Sequence, residues 1–463
     1  MIFFISNIVT ISGITSNQLY NEIKKKLTLA NPFFNKKVEL GFSTWGIPKS
    51  LKYYEEISSS TIQVPIGALP EILNLCTTLN IQVLKDDIVD LRKDTTNIGK
   101  SYFENISFTG TLRNYQEDVL TTIMPKTIGV IEAMTGSGKT IIFVKMVVTR
   151  KIPTLLLVNT IELMNQTKQA FIKFTNLTEN QIGTIGNGKF VLKPITIGLH
   201  QSMHKLSEEK FEFINDMFGQ IIADEVHIIA AKTYYNTMNK LKAKYKFGFS
   251  ATPKRDDGLT DLIFLATGPL IHKVPLKELD DVLIKPKYIT INTSYYFPII
   301  DSKEYIILLN DLSIDKDRNE LIAQTVLTNY KNNYVCLLCN RLEQVYALQE
   351  LLGQDAVTLT SKTKKKIRSQ TMEDLLLKRK KYIISTFGLF STGIDIPHLD
   401  TVVICAPIRS EIKLRQTAGR IMRMAENKIK ATIVDFIDVK IEILKNQART
   451  RKSVFKKLEL GIN

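Results

Sequence analysis

Cysteine is scarce in this 463-residue chain, with Cys76, Cys336, Cys339 and Cys405 too few and too scattered for a disulfide framework. That scarcity suits a reducing, intracellular compartment. Cys336 and Cys339 form a C-x-x-C, but no second pair or neighbouring histidine accompanies it. It lies inside the apolar run Tyr334–Cys339 and reads as a buried strand, not as zinc or redox chemistry. No run of 18 apolar residues occurs, which excludes a spanning helix. The apolar opening Met1–Ile11 has no basic flank, the first lysine being Lys24, so it reads as a buried strand and not as a secretory leader. Low-complexity tracts are also missing. What remains is a composition of 44% hydrophobic and 23% charged residues, that of a soluble chain long enough for two or three cores.

The net charge of +16 is unevenly spread. Residues 1–110 carry +1, residues 111–283 carry +4 and residues 284–463 carry +11. The asymmetry points to a polyanionic partner met mainly by the C-terminal half. The near-neutral first segment argues against a strong general affinity for phosphate there.

Texture divides the chain further. The first 108 residues end in a polar stretch, Asp94–Ser101, and contain two loosely similar segments, Gly46–Leu51 and Val64–Leu69. Each places a proline where a helix would begin, and a duplicated half-unit or chance would account for both. From Thr111 short apolar runs alternate with helical stretches. Leu112, Tyr115, Val119, Leu120 and Ile123 share a helical face closed by Pro125. Strands are expected at 127–133, 154–158, 195–199, 220–223 and 246–249, and again at 287–291, 334–339, 381–385, 401–405 and 431–435. This is the rhythm of two consecutive α/β domains with parallel sheets. The last stretch, 440–460, is amphipathic and basic.

Ala133-Met-Thr135-Gly136-Ser137-Gly138-Lys139-Thr140 follows one expected strand and precedes a helix at 141–149. There the glycines let backbone N–H groups turn onto phosphates, and the helix N-terminus adds its positive dipole end. Lys139 can reach the outer phosphates of ATP, and Thr140 can hold Mg²⁺. Ala133 stands where the strict pattern has glycine. A second strand, 85 residues on, ends in Asp224-Glu225-Val226-His227. Asp224 would orient Mg²⁺ and Glu225 would deprotonate the attacking water. Gln416-Thr-Ala-Gly-Arg420-Ile-Met-Arg423 spaces two arginines three apart, so both are expected on one helix face, where they can meet charge developing on a γ-phosphate.

Taken in order from Leu112 to Asp435, these motifs resemble those of superfamily 2 helicases. Leu112-Arg113-Asn-Tyr-Gln116 is similar to the adenine-reading motif, and Ser250-Ala-Thr252-Pro253 to motif III. The extension Arg255-Asp256-Asp257-Gly258, the segment Ser391–Pro397 and Asp317-Arg318-Asn319 resemble the DExH group that includes XPB-like and UvsW-like phage helicases; poxviral transcript-release helicases share them. Val64–Leu69 resembles a stretch of the small domain fronting UvsW-like proteins, with Ile66 in place of an arginine.

The resemblance implies two tandem RecA-like domains behind a small N-terminal accessory α+β domain. The expected boundaries are 1–108, 109–283, 284–440 and a basic helix or tail at 441–463. It implies ATP and Mg²⁺, with Arg113, Gln116, Thr135–Thr140, Gly393 and Asp395 around the nucleotide. His227, Ser250, Thr252 and Gln416 would couple hydrolysis to movement. Thr160, Gln201, Asn340, Arg341 and Thr386 would grip one strand's phosphates, and Phe387 would stack on a base or sit in the core. Lys364, Lys365 and Lys366 are further candidate phosphate contacts. The implied activity is a DNA helicase or translocase of phage or viral type, moving 3′ to 5′ on branched DNA in recombination, replication or repair. An RNA-directed or transcript-releasing motor and a double-stranded DNA translocase share the same motifs.

Overall fold

Alternation of apolar and polar residues sets the first sheet. The computed structural model describes every residue except 40, 93–94, 228–230, 299–303, 395, 459 and 463. It divides into two compact units, Met1–Met134 with Gly138–Val274, and Thr135–Ser137 with Pro275–Asn463. Among the described residues there are sheets of five, eight and seven strands and a two-stranded ribbon.

The N-terminal region of the first unit contains β1 (Ile2–Ile5), β2 (Ile8–Ser12), β3 (Thr28–Ala30), β4 (Ser50–Lys52), β5 (Glu55–Ser58), β6 (Thr61–Pro65) and β7 (Ile88–Asp90). The expected single strand over Met1–Ile11 is therefore two, joined by a tight turn in which Ser6 N–H donates to the Ile8 carbonyl at 3.0 Å. Phe3, Ile5, Val9 and Ile11 alternate inward. The sheet runs β5-β6-β2-β1-β7, with β7 parallel to β1 and the other neighbours antiparallel. Helices Asn17–Lys26 and Leu69–Thr78 bury Leu19, Ile23, Leu69, Ile72 and Cys76 in the same core. Pro65 leads into the second helix through a 3₁₀ turn, Ile66–Ala68. Pro48 instead precedes β4, so the similar segments are not a repeated unit.

This core does not close on itself. Ile128 and Leu265 of the following α/β layer belong to it. A Cβ at Gly67 would lie 1.9 Å from the Phe264 carbonyl oxygen, so the backbones meet there with no room for a side chain. Asn7 Nδ2 donates to the Asn239 carbonyl, and Arg92 Nη1 to the Lys244 carbonyl at 3.1 Å.

The second sheet is built from β8 (Ile128–Glu132), β9 (Thr154–Val158), β10 (Ile182–Gly186), β11 (Lys189–Val191), β12 (Ile195–Leu199), β13 (Gln220–Asp224), β14 (Tyr245–Ser250) and β15 (Leu270–Lys273). Its order is β11-β10-β12-β9-β13-β14-β8-β15, parallel throughout save β11. The five expected strands are all present; β10, β11 and β15 were not expected. Register pairs Asp224 with Phe249 and Ser250 with Glu132. The C-terminal ends of β13, β14 and β8 are thus level and adjacent, which is where open α/β sheets gather their sites.

The second unit repeats the plan with β16 (Lys287–Asn292), β17 (Val335–Cys339), β18 (Ala356–Leu359), β19 (Tyr382–Thr386), β20 (Thr401–Ile404), β21 (Thr432–Ile437) and β22 (Gly461–Ile462), all parallel in the order β18-β19-β17-β20-β21-β16-β22. Cys336 and Cys339 are buried in β17. Arg318 donates to Asp438 at 2.7 Å and to the Cys405 carbonyl at 2.6 Å, so that arginine holds the domain together. The basic C-terminal helix, Glu442–Lys457, buries Leu444, Ala448, Val454 and Phe455. Arg451 on it pairs with buried Asp435 at 2.8 Å, and β22 then joins the sheet. No described helix is long and apolar enough to cross a membrane.

Candidate nucleotide site and nucleic-acid-facing residues

β8 delivers the chain to Ala133–Thr140, and the helix Lys139–Arg150 begins with Gly138 as its N-cap. Gly136 and Gly138 have φ of 92° and 76°, the left-handed region that a loop needs to turn its N–H groups inward. Gln116, buried on helix Asn114–Ile123, accepts from the Arg113 N–H at 2.9 Å. Its amide lies where a Cβ on Gly138 would stand, 2.6 Å away. Gln116 and the loop are therefore neighbours, whereas the Arg113 side chain is exposed.

Lys139 is buried against two carboxylates, donating to Glu225 and standing 3.7 Å from Asp224. Glu225 reaches it because the chain turns sharply after β13, with Glu225 at φ 48°. That conformation is costly for a residue with a Cβ, and it is held by neighbours. Glu225 N–H donates to Asp224 Oδ1 at 2.9 Å, and Asn159 Nδ2 donates to the Glu225 carbonyl at 3.2 Å. Burial pushes the Asp224 carboxyl up to about 6. Burial works the same way on Glu225, but the Lys139 ammonium outweighs it and holds that carboxyl below the usual range. The difference follows the geometry, since Lys139 sits on Glu225 and only near Asp224.

His227 Nδ1 shares a hydrogen with Ser250 Oγ at 2.6 Å and lies 3.4 Å from Glu225 Oε2. Burial depresses its pKa, so the ring is neutral near pH 7. Ser250 Oγ also accepts from Thr252 N–H at 3.0 Å. Arg255, paired with Asp257 at 2.5 Å, donates to the His227 carbonyl at 2.7 Å. The spacing of Asp224–His227 and Ser250–Pro253 left Asn159 and Arg255 without a role. Their only sequence signals were a place one residue before Thr160 and the Arg255–Gly258 extension itself.

The residues present fit a magnesium nucleotide: inward-turned glycines, a helix N-terminus, a buried ammonium, and two carboxylates one strand away. Thr140 is half-buried in the first turn of that helix.

In the second unit, buried Gln416 and half-buried Arg420 lie on helix Glu411–Ile421. Arg423 does not share that helix face: the helix stops at Ile421 and Arg423 pairs in an isolated bridge with Leu283. At that helix end lies Lys428, missed by sequence reasoning, whose buried ammonium donates to the Ile421 and Arg423 carbonyls at 2.6 and 2.8 Å. Burial lowers its pKa to about 8. Arg420 donates to the Ile394 carbonyl. Gly393 ends helix Phe387–Gly393; Asp395 lies outside the described residues.

The strand-gripping candidates are mostly engaged locally. Thr160 Oγ1 caps helix Ile161–Phe174 by accepting from Leu163 N–H at 3.1 Å. Asn340 Nδ2 donates to the Pro407 carbonyl at 2.5 Å, and Arg341 Nε to Asn310 Oδ1 at 2.9 Å. Thr386 is half-buried at a helix start, and Gln201 is exposed. Phe387 is a core ring, 1% exposed, and cannot stack on a base as it stands. Ile66 is fully buried. Lys364 and Lys366 are exposed at the start of helix Lys365–Leu376, and the Lys365 side chain lies outside what is described.

Two family models match the chain: Type III restriction enzyme, res subunit, over residues 109–255, and Helicase conserved C-terminal domain over residues 317–425. An Acanthamoeba polyphaga mimivirus protein named as an ATP-dependent RNA helicase is 28% identical, covering 78% of this chain and 70% of its own. The Sulfurisphaera tokodaii DNA 3′-5′ translocase XPB2 is 23% identical, covering 68% and 80%. Saccharomyces cerevisiae Dbp5 bound to RNA and ADP BeF3 matches in structure with a TM-score of 0.55 at 17% identity, over 76% of this chain and 89% of that one. That likeness shows the fold.

Proposed function

Because the chain belongs to the superfamily 2 helicases of viral and phage type, we propose that it is an ATP-driven motor on DNA, unwinding or branch-migrating forks and junctions in recombination, replication or repair. The observation that carries the motor reading is the buried cluster of Lys139, Asp224 and Glu225 at the phosphate loop, tied through His227 to Ser250. Lys139 and the loop amides hold the phosphates, with Gln116 beside the loop on the adenine side. Thr140 and Asp224 would hold Mg²⁺, which would supply positive charge for the phosphoryl oxygens. Glu225 takes the proton of the attacking water; its depressed pKa keeps it ionised and ready. His227 and Ser250 carry the state of that carboxylate to motif III. Arg420 and Arg423 supply cations for the charge that develops on the transferring group.

DNA as the track, and movement 3′ to 5′, are supported by the named activity of the Sulfurisphaera tokodaii relative, and the +11 charge of residues 284–463 fits a phosphate backbone of either nucleic acid. The mimivirus relative's name favours RNA as the second reading. ATP turnover and unwinding on forks, four-way junctions, linear partial duplexes and RNA hybrids separate them. Stimulation by DNA with a preference for branches is the expected result. Stimulation by RNA alone would overturn the DNA reading, and equal rates on linear and branched DNA the junction reading.

A further inference from the structure

Between β3 and β4 the chain leaves the N-terminal fold for residues 31–49 and returns to nearly the same place. Asn31 clamps the base: its N–H donates to the Lys49 carbonyl at 3.0 Å, its Nδ2 to the Pro48 carbonyl at 2.7 Å, and its Oδ1 accepts from Phe33 N–H at 3.1 Å. The excursion has a helix, Pro32–Glu39, that buries none of its residues. Short isolated helices are marginal in water, and most gain their stability by burying an apolar face. This one half-buries Phe34 but turns its other large apolar residues outward, with Phe33 57% and Val38 56% exposed. Phe42 follows at 60%, and Trp45, the single tryptophan of the chain, at 93%. Lys37 stands over both Phe33 and Phe42, 5.6 and 5.4 Å from the ring centroids.

Charge decides what such rings would meet. Residues 28–52 contain Lys36, Lys37, Lys49 and Lys52 against Glu39 alone, a balance of +3, while the rest of residues 1–110 sums to −2. The weak overall charge of the N-terminal region therefore hides a basic segment. A surface built of exposed aromatic rings among lysines matches the faces of unpaired bases and the phosphates between them. The segment also has a fixed seat: a Cβ on Gly258 would lie 2.9 Å from the Pro32 ring, so the arm's base rests on the loop in which Arg255 holds His227.

We propose that residues 31–49 form a nucleic-acid-binding arm. Trp45, Phe42 and Phe33 stack on unpaired bases, and Lys36, Lys37 and Lys49 meet the backbone. The inference rests on the reading of the protein as a nucleic-acid motor and adds a contact outside its motor motifs. Because Trp45 is the chain's single tryptophan, its emission reports on the arm alone. The full chain is titrated with single-stranded oligothymidine while tryptophan emission is followed, and the affinity is measured in parallel by anisotropy of a labelled oligonucleotide. Quenching along the anisotropy curve is expected. Trp45→Ala together with Phe42→Ala should weaken binding by about tenfold or more, as loss of stacked rings does, with an unchanged circular dichroism spectrum. Binding without any change in emission, or undiminished binding by the double variant, overturns the arm alone. No binding by the parent overturns the motor reading and the arm with it. Emission that shifts with protein concentration in the absence of DNA, with a dimer in sedimentation, overturns it in favour of a second copy of the chain.

Discussion

Lys139, Asp224 and Glu225 are each less than a tenth exposed and are held by one another, while Lys36, Lys49 and Trp45 stand in solvent. At the phosphate loop, charge has been taken out of water, and geometry is what stabilises it: Lys139 stands by both carboxylates, and a left-handed backbone and the His227 imidazole place Glu225. In the arm the base is tied at Asn31 and Lys37 lies over the Phe33 and Phe42 rings, while the rings themselves face solvent. The first arrangement suits chemistry, where groups must not reorganise during the reaction. The second suits a ligand of variable sequence, met through ring faces and diffuse charge. The two kinds of site should therefore fail differently when altered.

The largest effect is expected at Glu225. Glu225→Gln preserves volume and one hydrogen bond but removes the base and the charge that pairs Lys139. Turnover should fall by about 10²–10⁴, the usual worth of a general base, while binding of a fluorescent ATP analogue persists. Lys139→Ala should weaken that binding itself. Near-parental hydrolysis by Glu225→Gln would mean that the buried cluster only holds structure, and the contrast with the arm would collapse.

A buried charge outside the site sharpens the comparison. Lys246 in β14 is fully buried, and its ammonium donates to the Met238 carbonyl at 3.0 Å. Burial, with Arg92 adding to it, lowers its pKa from 10.5 to about 7. Between those values the unfolded chain binds more protons, so stability should rise with pH through this window and lose that contribution as pH falls to 7. The ceiling is about 5 kcal/mol, at 1.36 kcal/mol per unit. Lys246→Met orphans one carbonyl, a cost of about 1 kcal/mol. Urea unfolding should find the variant more stable at pH 7, with its advantage shrinking by pH 9.5. A constant difference would mean that Lys246 is not titrating in that range.

The same contrast explains what the sequence made legible. The phosphate loop, Asp224-Glu225 and Ser250 are readable because catalysis demands fixed residue types at fixed strand ends, and the parallel sheet brings β8, β13 and β14 side by side. Ten strands of the two α/β layers stood out for a different reason, being apolar runs that parallel sheets bury on both faces, whereas β10, β11, β15, β18 and β22 did not. Single side chains that act through the backbone left no pattern: Lys428 holds the Ile421 and Arg423 carbonyls where the helix ends, and Asn159 braces Glu225. Gly67 was quoted only as part of a similarity, although its missing side chain is what lets the N-terminal region rest on the next layer. The arm was averaged away, since its +3 was diluted by the acidic residues around it.

The smallest effect is expected at a second exposed basic group, and it tests whether diffuse charge is placed for a ligand or merely for solvation. Lys364 is the N-cap of helix Lys365–Leu376, whose first turn holds Lys366 and no acidic residue. Positive charge is unfavourable at that end of a helix, by about 0.3–1 kcal/mol per exposed charge. Solvation alone would be served as well by glutamates, which the helix dipole would welcome. Replacing Lys364 and Lys366 by Gln should therefore leave the domain as stable as before or slightly more so. If both meet phosphates of one strand, the slope of log affinity against log salt should drop by up to about 1.4, at 0.7 per contact. The affinity loss should be alike for all sequences, unlike the loss on removing the arm's rings, which should leave the slope nearly unchanged. A variant that is stabilised while its salt slope stays at the parental value would show that these lysines are solvated surface, leaving the arm as the exposed nucleic-acid contact.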